Sequence, residues 1–112
     1  MEGEDTAGIA QWAKEIALDQ SPEALTRGLD AFYTRSSCEH LVMESTIPIH
    51  VVTGDRDELP GLSYSRRLAE LSVNARLHVI KDCGHYVPMM QPMALNNLIA
   101  DVVGDADINC VF

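Results

Sequence analysis

The chain has 112 residues, enough for one small domain or for part of a larger one, and 46% of them are hydrophobic, as in ordinary globular proteins. Seventeen Asp and Glu residues against eight Lys and Arg give a net charge of -9, which argues against binding a phosphate backbone and suits solubility. No apolar run approaches the roughly 18 residues of a membrane span, so no membrane partner is expected. The acidic start, Met1 to Asp5, lacks an apolar h-region and does not read as a signal peptide.

Taken in order, the first third reads as helical. Ile9, Trp12 and Ile16, with Ala13 and Ala17, recur at helix spacing. Ser21-Pro22-Glu23 is a restart signal: serine suits the cap, proline the first helical position and glutamate the positive end of the dipole. Leu25, Leu29, Phe32 and Tyr33 then form one apolar stripe, with Gly28 weakening the helix slightly. Ser36 and Glu39 have capping-box spacing and predict a short helix through Leu41 and Met43.

At Ile47 the residue types change. Pro48 to Thr53 is a β-rich run that ends at Gly54. A polar loop, Asp57 to Gly61, leads to a helix over Tyr64 to Leu71, with Leu68 and Leu71 inward and Arg66, Arg67 and Glu70 outward. Ser63 reads as its N-cap. Arg76 to Ile80 is a second strand and Lys81 to Pro88 a loop. Pro92 opens a last helix whose Leu95, Leu98, Ile99, Val102 and Val103 share a face and which Gly104 is expected to stop. The organisation is a helical segment and linker over residues 1–46, a strand–helix–strand–helix unit over 47–104, and a tail over 105–112.

A crossover helix between two strands predicts a parallel pair in one sheet, an α/β unit. Ligands in such sheets sit beyond the carboxyl ends of the strands, and Asp57 and His85 both lie on those loops. A carboxylate beside an imidazole fixes its tautomer, so the ring can act as general base and then general acid. The bland alternative is an aspartate capping a turn and a solvated loop histidine.

Two stretches add to this reading. Ile47 to Asp57, carrying Gly54-Asp55-Arg56-Asp57, resembles the late strand and acid loop of the α/β-hydrolase fold superfamily. Ala75 to Tyr86, carrying Cys83-Gly84-His85, resembles that superfamily's last core strand and histidine loop, and Gln91-Pro92 with its helix is similar to the C-terminal helix. The resemblance runs from Ile47 to Gly104. It implies a partial hydrolase-like fold with at least two parallel strands flanked by helices, preceded by cap-like helices. It implies Asp57 as acid, His85 as base, a small-molecule substrate and no cofactor or metal. The Gly-x-Ser-x-Gly nucleophile turn is missing; Gly61-Leu62-Ser63-Tyr64-Ser65 lacks the final glycine and follows the acid.

The expected function is hydrolysis of an ester or related bond, with Asp57 and His85 supplying part of a triad whose nucleophile is not in this chain. Two alternatives stay open: a small stand-alone acid–base enzyme (lyase, isomerase or cyclase) using the same dyad, and a non-catalytic self-associating binding module. Tyr86 and Met89 flank the histidine and are candidates for substrate contact. An unpaired apolar strand edge predicts a homo-oligomer or pairing with a nucleophile-bearing segment. Cys38, Cys83 and Cys110, odd in number and without CxxC spacing, predict no disulfide framework and a cytoplasmic setting. Cys83 reads as packing. His50 and His78 fall on the two strands, and two histidines without a third ligand read as core or edge residues, not a metal site.

Overall fold

Local sequence signals account for most of the elements in a computed structural model that describes residues 2–109. Three helices come first: α1 (Glu2–Leu18), α2 (Pro22–Thr34) and α3 (Glu39–Glu44). Ser21 caps α2 as its residue type predicts, its hydroxyl accepting the Ala24 N–H at 3.1 Å with Pro22 opening the helix. The capping box expected at Ser36 and Glu39 does not form. Cys38 takes the cap position of α3 without a side-chain bond, and the Glu39 N–H donates to Ser37 Oγ instead.

The α/β unit follows as β1 (Ile49–Gly54), α4 (Leu62–Glu70), β2 (Ala75–Ile80), α5 (Val87–Met90) and α6 (Pro92–Asn109). The strands pair in parallel, from Ile49 opposite Ala75 to Gly54 opposite Ile80. Helix α4 packs against both strands, and buried Ser65, a small residue, lies on it. The chain is therefore mixed α/β with a two-stranded parallel sheet. Both carboxyl ends, Gly54 and Ile80, lie at the same end of the sheet, so the loops that follow are neighbours. A side-chain bond from Asn74 Nδ2 to the Ser45 carbonyl, 2.9 Å, ties the opposite end together.

Three boundaries differ from expectation. Gly61, not Ser63, is the cap residue of α4; it holds φ 96°, a left-handed value that favours glycine, and Ser63 falls inside the first turn. The expected loop from Lys81 ends early, because Pro88 is taken into the short α5. Gly104 does not stop the last helix, which continues to Asn109. Its φ is not in the left-handed range that terminates helices, and a glycine inside a helix costs only about 1 kcal/mol. Residues 110–112, Cys110 among them, lie outside the described residues.

The interior is small. Among the described residues only Cys83 and Val87 are buried hydrophobics. The α2 stripe stays open, with Leu29 57% and Phe32 55% exposed, and α2 buries no residue. The surface, 8727 Å², exceeds the roughly 6,100 Å² expected for a compact monomer of this mass. The radius of gyration, 16.8 Å, likewise exceeds the expected value of about 13 Å. On each strand the edge away from its partner has no strand neighbour among the described residues.

Candidate active site

The loops after β1 and β2 are knitted together by backbone chemistry. Asp55 N–H donates to the Ile80 carbonyl and Arg56 N–H to the Cys83 carbonyl, both at 2.9 Å. Gly54 lies directly under the second loop; a Cβ placed there would strike the carbonyl oxygens of Cys83 and Gly84. This close crossing requires glycine for space, not for its dihedral freedom. Asp82 turns the second loop with φ 53°, a left-handed conformation that aspartate tolerates better than most residues.

This crossing brings the two predicted residues together. His85 Nδ1 lies 3.3 Å from both carboxyl oxygens of Asp57. A carboxylate only accepts, so a hydrogen bond between them requires the hydrogen on Nδ1, and in the neutral ring that tautomer leaves the lone pair on Nε2. The distances are at the long end of hydrogen bonding. The two side chains differ in exposure. The Asp57 side chain is 8% exposed and also accepts the Leu59 N–H at 2.9 Å, so it is held on two sides. The His85 side chain is 59% exposed. Among the described residues no hydroxyl or thiol hydrogen-bonds His85.

Of the residues flanking the dyad, Tyr86 stands edge-on to the His85 ring with centroids 5.5 Å apart. Met89 is exposed on α5. The neighbouring Met90 instead reaches the histidine loop: its sulfur accepts the Gly84 N–H at 3.2 Å. Cys83 is fully buried, and burial, then the carboxylates of Asp55 and Asp57, push its thiol upward in pKa. A thiol held protonated is a poor nucleophile, which agrees with its reading as a packing residue.

Sequence reasoning assigned Asp55 no part, yet its carboxylate bridges the two loops. Its Oδ2 accepts the Asp82 N–H at 3.1 Å and its Oδ1 the Cys83 N–H at 3.0 Å. Beside it, Arg56 Nη2 pairs with Asp82 Oδ1 at 2.9 Å. The available signal was a second acid two residues before the first.

His50 and His78 do face each other. Their rings stack with centroids 5.1 Å apart, and His50 Nδ1 lies 2.8 Å from His78 Nε2. That is a shared hydrogen bond: one ring donates and the other accepts. Among the described residues no group of three or more His, Cys, Asp or Glu side chains could hold a metal. Burial, then His50 and Arg76, lower the pKa of His78. The folded state thus binds fewer protons there than the unfolded chain. The stability this contributes is present above an unfolded pKa of about 6.5 and is lost as pH falls through the lowered folded value. The expected result is a fall in melting temperature from about pH 7.5 to about pH 5.5 that is smaller in His78→Gln. Equal pH dependence in the two proteins would contradict it.

Comparison with protein-family models finds no match, and comparison with curated proteins finds none either. Among the described residues no helix is long and apolar enough to cross a membrane.

Proposed function

We propose that this chain supplies the acid and base of a hydrolase-type active site, with the nucleophile contributed by another segment. The observation that supports this reading is the placement of His85 Nδ1 against a buried Asp57 carboxylate while the rest of the ring stays exposed. Asp57 would fix the tautomer; Nε2 would take a proton from a hydroxyl or a water and return it to the leaving group. The substrate class is a small molecule with an ester or related bond. The resemblance of both loops to those of α/β-hydrolases supports the same reading, and free thiols at Cys38 and Cys83 suit a cytoplasmic setting.

The test is ester turnover by the chain alone, then with a Gly-x-Ser-x-Gly-bearing N-terminal portion of an α/β-hydrolase added in trans. Turnover only in the mixture is expected. Strong labelling of the chain alone by a serine-hydrolase probe would contradict it.

The same exposed imidazole beside a shielded carboxylate suits a second reading, a cofactor-free acid–base enzyme, whose chemistry needs a poised histidine and no serine nucleophile. Activity of the chain alone, lost in His85→Ala and indifferent to serine reagents, would distinguish it.

Both readings need the open apolar surface covered. The excess of roughly 2,600 Å² over a compact monomer is on the scale of a large permanent interface. Light scattering at high protein concentration is expected to give a mass above the monomer's 12.3 kDa. A stable monomer would count against self-association.

A further inference from the structure

We propose that Asp55 is a positioning residue for His85, its carboxylate clasping the backbone of the histidine loop and setting the ring against Asp57. The proposal rests on the acid–base reading of Asp57 and His85 and adds a residue to it.

The geometry divides the labour between two acids two residues apart. Asp57 faces the imidazole; Asp55 takes the N–H groups of Asp82 and Cys83, one on each oxygen. Cys83 is held on both sides, since its carbonyl accepts the Arg56 N–H at 2.9 Å. It lies only two residues before His85, so little freedom remains between the clasp and the ring. The left-handed turn at Asp82 begins at this clasp, which secures a conformation that residue would rarely adopt alone. The Arg56–Asp82 ion pair has both side chains largely exposed, and exposed pairs contribute little. A clasp of two charge-assisted bonds is the stronger device. The bond from the Cys83 N–H, chiefly, lowers the pKa of Asp55, so the clasp persists down to acidic pH. Positioning matters because a misplacement of about 1 Å can cost on the order of 100-fold in rate.

The test uses the full chain, labelled with nitrogen-15, and the variants Asp55→Ala, Asp55→Asn, Asp82→Asn and Asp57→Asn. Hydrogen exchange at the Asp82 and Cys83 amides is expected to rise at least about tenfold in Asp55→Ala. The His85 ring should then lose its Nδ1-protonated signature, as in Asp57→Asn. Asp55→Asn keeps one acceptor and should fall between, and Asp82→Asn should leave the ring unchanged. If Asp55→Ala does not fold, Asp55→Asn decides. Faster amide exchange with an unchanged His85 signature would overturn the proposal, making Asp55 a loop-stabilising residue only. A ring that ignores Asp57→Asn would instead defeat the acid–base reading, and this inference with it.

Discussion

Replacing Gly54 with alanine is expected to destabilise the fold by about 3 kcal/mol or more and to part Asp57 from His85. The added methyl would meet the Cys83 carbonyl carbon at 2.6 Å and press on two carbonyl oxygens. These are backbone atoms on a short tethered loop, so no flexible side chain can swing aside. Relief requires the second loop to lift away from β1, breaking the Arg56–Cys83 backbone bond. Such a loss lowers the melting temperature by more than about 12 °C in a domain of this size. Gly28 supplies the control. Nothing lies within 4 Å of a Cβ placed there, and the residue sits mid-helix in α2. Gly28→Ala should therefore be neutral or stabilise, by up to about 1 kcal/mol. Thermal unfolding of both variants measures the contrast, and an unchanged melting temperature in Gly54→Ala would contradict the close crossing.

His85→Ala should abolish ester turnover in the reconstituted mixture, and Asp57→Asn should reduce it by about 10⁴-fold. The asparagine keeps the shape of the site but offers an N–H where the carboxylate offered an oxygen. The imidazole then turns its lone pair toward residue 57 and its N–H toward the substrate, so the base points the wrong way. Initial rates over a pH series measure this. Loss of less than about tenfold in both variants would mean that the pair does no acid–base work.

The parts of the fold legible in the sequence were those with a periodic or compositional signature. The β-rich runs at Pro48–Thr53 and Arg76–Ile80, with a helix between them, imply a parallel pair, and the pair forms as Ile49–Gly54 beside Ala75–Ile80. The meeting of Asp57 and His85 follows from that topology, because adjacent parallel strands end side by side. Caps were less legible. Ser21 caps its helix, but Ser36 and Ser63 do not, since a neighbouring Cys38 or Gly61 supplies the entry geometry instead. The apolar stripe of α2 was legible, but its exposure was not: periodicity names the face and cannot say whether this chain holds anything to cover it. Least legible was the Asp55 clasp. Its partners are backbone N–H groups, which almost every residue carries, so nothing at Asp82 or Cys83 advertises them.

Ring nitrogen spectra of His85 in the native chain and in Asp57→Asn test the central claim most directly. The acid–base pairing predicts a ring protonated at Nδ1 in the native protein, with that preference lost in Asp57→Asn. A native ring protonated at Nε2, or identical spectra in the two proteins, would contradict it.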